Sequence, residues 1–401
     1  MKYKSLYQKA ALAIISLVLA LVTVETALRI IYPAQLKYYV WPPYLWHHFK
    51  PDTTILSGIS NSSIFSINSY GVRVGGCNII KETDIVRPTG DNEGSKGDYL
   101  LCLGGSTTEC LYLDDNKTWE AQIAWQAKQA SDSSLRFIGN IGKSGCTSTE
   151  NYIHLKYCVS QYKKINTVVL MTGVNDLLKR LSRDTLYRND YRITRLVEDS
   201  LVHTIFELNE HKAWWRRLAL FHFVQSTYYR MYKLNQKDST ALYLDDTAEV
   251  YFTWRLKRQH ASAYIDTLPD MLSALNNFER NLNLIIDEAE KQKLEIIFVN
   301  QAAIWKDTMS AEEQRVLWMG GIGNFKNPYN HKYYTTRALR QGISLYNQRL
   351  AEVCHKRKVK LIDLDSQLPR ALDIFYDDCH FNEAGAKMVG RIIYNGIKSS
   401  F

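Results

Sequence analysis

The run TVVLM at Thr167–Met171 places five uncharged residues in succession, three of them β-branched. A strand with one face in water alternates apolar and polar side chains. A continuous run belongs to a strand covered on both faces, the condition of a parallel sheet between helical layers. Comparable runs recur at residues 99–103 and 135–141, in LEIIFVN (294–300) and in VKLIDL (359–364). Helical patterns separate them at 118–130, 148–162 and 271–291, and a last one follows Asn382 to about residue 397. In the second of these the apolar positions are Tyr152, Leu155, Val159 and Tyr162, with Ser148 as the expected N-cap. Five strands alternating with helices specify a parallel α/β sandwich with right-handed crossovers. A chain of 401 residues with 46% hydrophobic content supplies ample core for it.

The amino terminus has a different pattern. Lys2, Lys4 and Lys9 precede an apolar stretch that starts at Ala10 and, with polar interruptions near its end, reaches Tyr32 before Pro33. That is about the length a bilayer requires. Glu25 and Arg29 stand four apart, close enough to pair on one helical face. Basic residues before the stretch favour a cytoplasmic amino terminus with the body of the chain outside, at the periplasmic face or cell surface. A cleaved signal peptide is the competing reading, but no small-x-small cleavage site follows Val24 and there is no lipobox cysteine. The expected organisation is a tail at 1–9, a transmembrane anchor at 10–32, a juxtamembrane segment and linker at 33–97 and a main domain at 98–401. A mostly helical insertion, rich in Trp, Tyr, Arg and His, occupies 177–269.

Net charge of +9 arises from basic residues scattered among acidic ones, without an arginine-rich tract or nucleic-acid motif, so it describes a solvated surface and no nucleic-acid partner. Seven cysteines, an odd number, are too few for a disulfide scaffold in this length, and no C-x-x-C pair suggests a zinc cluster. Neither a metal nor another cofactor is expected. Oligomeric state has no signature in the sequence.

Four short features fall where strands end, and parallel sheets gather functional groups at the carboxyl ends of their strands. GGST follows the first strand, with Gly104 and Gly105 permitting a sharp turn that presents Ser106. NIGKSGCTS follows the second, and its Gly145 can bring a backbone N–H to a substrate. GVND follows TVVLM, where Asn175 offers an amide donor. YDDCHFNEAG near the carboxyl terminus sets Asp377 three residues before His380; Asp378 lies at the wrong spacing, so its change to Asn is expected to damage activity less than that of Asp377. Each alone is an ordinary turn or helix cap. Together they supply an acyl-transfer site: a hydroxyl, a base to take its proton, a carboxylate to orient the base, and donors for an oxyanion.

In this order the four features resemble the blocks of the SGNH hydrolases, the family that includes the GDSL esterases and lipases. GGSTTE is similar to its serine block, NIGKSGCTS to its glycine block, GVND to its asparagine block and DDCH to its Asp-x-x-His block. The presence of Gly105 where that family usually has Asp looks like its membrane-anchored bacterial branch. The resemblance implies a flavodoxin-like α/β/α sandwich with a five-stranded parallel sheet and a triad of Ser106, Asp377 and His380. It also implies an oxyanion hole built from the N–H groups of Ser106 and Gly145 and the Asn175 amide. The expected activity is a serine esterase that deacylates (deacetylates) an extracytoplasmic glycan or similar acylated substrate. Insertion aromatics Trp214, Trp215, Tyr228, Tyr229 and Trp254 are candidates for stacking on sugars. An O-acyltransferase with the same triad, a lipase and a non-catalytic membrane-tethered binding protein are the alternatives.

Overall fold

The computed structural model describes residues 2–31, 36–43, 45–75, 97–187, 206–207, 245–323 and 332–399, with positions 215, 218–221, 223, 224 and 227. They fall into two compact units, one formed by residues 1–38 with 207–237 and the other by 39–206 with 238–401.

In the first unit, α1 (Lys2–Ile31) is one continuous helix, so its first turns take up the expected tail. Within Tyr7–Arg29 an 18-residue window reaches a mean hydropathy of 2.3, and α1 is the one helix among the described residues that is long and apolar enough to cross a membrane. Leu12, Ile14, Leu17 and Leu19 are exposed along it. Glu25 and Arg29 form the expected pair, at 2.7 Å.

The second unit is built on five parallel strands: β1 (Asp98–Gly104), β2 (Leu135–Asn140), β3 (Thr167–Met171), β4 (Glu295–Val299) and β5 (Lys360–Ile362). Their order across the sheet is β5-β4-β3-β1-β2. This is the flavodoxin-like order, in which the chain winds one way from β1 and then the other, opening a crevice at the carboxyl ends of β1 and β3. The uninterrupted apolar runs have the burial expected of them: Val168 through Met171 and Leu101 through Leu103 are each 0% exposed. Each such side chain contributes roughly 1.5–3 kcal/mol by leaving water.

The helices of this unit are α2 (Trp119–Gln129), α3 (Ser148–Ile153), α4 (Val174–Arg183), α5 (Glu249–Gln259), α6 (Leu272–Lys291), α7 (Thr336–Arg357) and, after the last strand, α8 (Glu383–Lys398). α2 packs on α8, while α6 packs with α3, α4 and α7, giving the two helical layers. The second crossover, α3, departs from expectation in two respects. Its N-cap is Thr147, whose hydroxyl accepts the Thr149 N–H while Glu150 reaches back in a capping box. After Ile153 the helix widens into a π turn at His154–Cys158 and closes as a 3-10 turn at Val159–Gln161.

Residues 39–75 share the compact unit of the sheet. A hairpin pairs Trp46–Phe49 with Ser63–Ser66, and Arg73 bridges to Asn140 at the end of β2. The Arg73 guanidinium is buried and donates to the carbonyls of Glu109, Cys110 and Leu113 and to Asp115. It therefore ties this segment to the chain just beyond Ser106. Of the 177–269 insertion, Leu177 already belongs to the buried face of α4. Its last part is described as α5 and a short strand, Ala263–Ile265, parallel to Lys332–Tyr334. Trp214, Tyr228 and Tyr229 lie outside the described residues.

Candidate active site

β1 ends in two glycines because nothing larger fits. A Cβ on Gly104, where φ is +153°, would stand 2.2 Å from Thr108 Oγ1 and 2.6 Å from the Met171 carbonyl. One on Gly105 would stand 2.3 Å from Asn175 Nδ2. The close approach of the β1 and β3 ends therefore requires the Gly-Gly pair, and the chain leaves it as a single helical turn, Ser106–Glu109. Ser106 opens that turn at the rim of the crevice.

From the other end of the chain, the segment before α8 brings His380 to the serine, with Nε2 2.7 Å from Ser106 Oγ. Its Nδ1 lies 2.6 Å from Asp377 Oδ2. The Asp-x-x-His spacing has a local cause. Asp377 Oδ1 accepts the backbone N–H groups of Cys379 at 3.0 Å and His380 at 2.8 Å, closing a tight turn that aims the imidazole at its own carboxylate. Trp318 Nε1 donates to Oδ2 at 2.9 Å, so Asp377 receives four hydrogen bonds at 0% exposure. Every partner of Asp377 is a donor. The network thus assigns the proton to Nδ1 and leaves Nε2 as acceptor toward the serine hydroxyl.

The electrostatics follow from that arrangement. Burial by itself would raise the Asp377 carboxyl, but the charge and hydrogen bond of His380, with the Trp318 and backbone donors, hold it below the ordinary carboxylate value. Burial opposes the imidazolium of His380. The charge and hydrogen bond of Asp377, helped by Asp378 and Glu109, outweigh burial and raise His380 above its ordinary value. The imidazole is stacked on Tyr376 (5.6 Å between centroids, 12° between planes) and meets Tyr251 edge-on at 6.4 Å. Asp377, Cys379 and His380 bring possible ligand atoms within 4.8 Å of one another. Burial pushes the Cys379 thiol well above its usual range, and His380 Nδ1 is engaged by Asp377, so the cluster is organised as a hydrogen-bonded turn.

Asn175 stands in the first turn of α4 and donates from Nδ2 to the Cys146 carbonyl at 2.9 Å. The next residue, Asp176, accepts the Ser148 N–H at 2.9 Å and its hydroxyl at 2.6 Å, and burial raises its carboxyl to about 6. GVND and CTS are thereby fastened to each other. The Asp and Ser of these motifs look like simple helix caps in sequence, and their mutual bond requires the two loops to be neighbours.

Gly145 adopts φ +79°, the left-handed region that favours glycine, and a Cβ there would meet nothing within 4 Å. Gly142 is the sterically constrained glycine of this loop, because its Cβ would lie 2.7 Å from the Glu109 N. Three outside groups hold the loop. Trp41 Nε1 donates to the Gly142 carbonyl at 2.9 Å, Lys143 Nζ donates to the Val40 carbonyl at 3.2 Å, and the Ser144 hydroxyl bonds to the buried Glu109. Burial raises the Glu109 carboxyl, although the bonds from Ser144 and the nearby Arg73 oppose it. Trp41, Glu109 and Trp318 carry no sequence signal of these roles.

Asp378, off the Asp-x-x-His spacing, has a structural place of its own. It is 0% exposed and accepts Trp305 Nε1 at 2.7 Å, the Trp318 N–H at 2.7 Å and the Met319 N–H at 3.1 Å. Burial, then repulsion from Asp377, raises its carboxyl. It holds the loop that delivers Trp318 to Asp377 and is no neutral neighbour. Asp378→Asn leaves at least one of these buried donors facing an amide N–H, which costs about 1–3 kcal/mol. Thermal unfolding in detergent should show the lowered melting temperature, with turnover kept within about tenfold of the parent; an unchanged melting temperature would contradict this role.

The model of the GDSL-like lipase/acylhydrolase family matches residues 102–388, well over half of the chain. Among solved structures, the chain is similar to the acetylxylan esterase Axe2 from Geobacillus stearothermophilus, with 13% identity, 76% of this chain and 97% of that one covered, and a TM-score of 0.38. It is also similar to a member of the lipolytic protein G-D-S-L family from Veillonella parvula DSM 2008, with 12% identity, 75% and 97% covered, and a TM-score of 0.38. Comparison with curated proteins finds no match. The family model spans β1 through α8 and includes the serine, glycine, asparagine and Asp-x-x-His segments just described; the chain belongs to the GDSL-like lipase/acylhydrolase family and is a hydrolase acting on ester bonds.

Proposed function

We propose that Ser106 is the nucleophile of this hydrolase, His380 its general base and acid, and Asp377 the carboxylate that orients and charge-balances the imidazole. The observation that carries the reading is the continuous hydrogen-bond line from Ser106 Oγ through His380 to Asp377, at 2.7 and 2.6 Å. Nε2 takes the hydroxyl proton as Oγ attacks the ester carbonyl. The tetrahedral oxyanion is met by the N–H groups of Ser106 and Gly145 and by the Asn175 amide. The bond from Asn175 to Cys146 fixes the amide plane and leaves its second N–H for this purpose. Collapse of the intermediate expels the alcohol, protonated by His380. Water then enters and attacks the acyl carbonyl while Nε2 takes its proton; collapse breaks the bond to Oγ, His380 returns the proton to Ser106, and the acid is released.

The substrate we propose is an acetylated glycan or similar acylated molecule outside the cytoplasm, with α1 as the membrane anchor. Support comes from a pair of half-buried indoles beside Asp377: Trp254 and Trp318 face each other at 4.5 Å and 33°. Among the described candidates for sugar stacking, Trp254 lies at this site, beside Tyr251 of the same insertion. Such a surface suits the flat apolar face of a sugar ring.

A fluorophosphonate probe on the full-length protein, followed by peptide mapping, should label Ser106 alone and leave the Ser106→Ala variant unlabelled. The labelled site falling elsewhere would overturn the assignment. Incubation with an acetylated oligosaccharide should release free acetate; acetate appearing instead on an added glycan acceptor would make the enzyme a transferase.

A further inference from the structure

The insertion segment 207–237 forms one compact unit with residues 1–38. Within that unit Glu25, on α1, accepts the backbone N–H of Ala219 through Oε1 and that of Leu220 through Oε2, each at 2.9 Å. Oε1 also holds Arg29 Nε at 2.7 Å. Residues 219–221, 223, 224 and 227 are helical, so the carboxylate satisfies the first N–H groups of a second helix. Glu25 lies four residues before the end of the apolar stretch Tyr7–Arg29, about 6 Å inside it at 1.5 Å per residue. A carboxylate at such a depth is tolerated when it is paired and hydrogen-bonded, as here. The second helix therefore begins at the level where the apolar stretch gives way to headgroups.

The composition of the segment fits that level. AWWRRLALFHFVQSTYYRMYK, residues 213–233, contains seven aromatic residues, four Lys or Arg, and no Asp or Glu. In the structure Trp215, Phe223 and Val224 are 42%, 38% and 56% exposed, and Trp215 meets Phe221 edge-on at 5.1 Å. Aromatic and basic side chains without acidic ones are the chemistry of an element lying in an anionic lipid interface.

We propose that the helix carrying Leu220, Phe223 and Val224 is a second membrane contact, lying in the plane of the outer interface and fastened to α1 through Glu25, with a phospholipid surface as its partner. The inference rests on the reading of α1 as a membrane span. It gives this part of the insertion the task of binding lipid, apart from any sugar-stacking role of Trp254.

The test uses Val224→Cys, Leu17→Cys and Lys128→Cys, each in the full chain with Cys77→Ser; the six described native cysteines are buried. Leu17 is exposed on α1, and Lys128 is an exposed position on α2. The proteins are reconstituted in vesicles of phosphatidylethanolamine and phosphatidylglycerol and treated with a membrane-impermeant maleimide. Within the accessible fraction, the cysteine at 224 should react at least tenfold more slowly than that at 128. A nitroxide at 224 should favour oxygen over a nickel chelate, though less strongly than one at 17. Reaction at 224 as fast as at 128, with 17 protected, overturns the proposal and leaves the span standing. Water access at 17 overturns both. Protection at 224 that disappears when the protein-to-lipid ratio falls tenfold assigns the face to a second copy and likewise overturns the lipid assignment.

Discussion

Ser106→Ala and His380→Ala should each lower kcat by about 10⁴- to 10⁶-fold on a small acetyl ester, and the double variant should be little worse than either single one. Groups that act as one unit are not additive, because removing either ends the same proton transfer. The structure separates the two variants in stability. Losing the Ser106 hydroxyl deprives the imidazole of one partner at the crevice rim, and the melting temperature should barely move. Losing the imidazole takes one of four donors from the buried Asp377 carboxylate, at a cost of about 1–3 kcal/mol. That cost depends on pH. Because His380 is raised in the folded state, its contribution is fully present below its unfolded value and is lost as pH rises through the raised one. Full activity in a folded Ser106→Ala protein would end the esterase mechanism proposed above.

Asp377→Asn is expected to lower kcat by about 10⁴-fold while leaving much of the fold in place. The amide retains an oxygen for the backbone N–H groups of Cys379 and His380. Its NH₂ group, facing Nδ1, favours the tautomer with the proton on Nε2, which cannot accept from Ser106. The pH profile provides a second, independent readout. In the parent protein kcat/KM should rise with pH through the raised value of His380, placing the acid limb above the ordinary histidine value of about 6.5. Without the Asp377 charge, burial is less opposed, so the limb should move to lower pH. Plots of kcat/KM against pH for both proteins check this, and an unshifted limb at full activity would remove Asp377 from the proposed role.

Much of this arrangement is legible without coordinates, for local reasons. β3 announces itself because five uncharged residues in succession suit a strand covered on both faces, and the adjacent glycines of GGST suit a turn with no room for side chains. Asp377 and His380 are readable as a pair because their geometry is made within four residues, by a carboxylate accepting the N–H groups of its own turn. The Thr147 cap, one residue from the expected Ser148, shows the limit of that reasoning: both residues can cap, and the path of the preceding loop selects between them.

The sequence by itself determined the alternation of strands and helices, the apolar amino-terminal helix, and the four short segments that turn at strand ends. Each is written in neighbouring residues, through period, turn chemistry or spacing. Tertiary structure alone decided which distant groups complete the site. Trp318 reaches Asp377 from 59 positions away, Trp41 reaches the Gly142 carbonyl from 101, and Asp378 anchors the loop that carries Trp318. A hydrogen bond between residues so far apart leaves no period or spacing in the chain, because it forms only after the sheet order has brought their loops together.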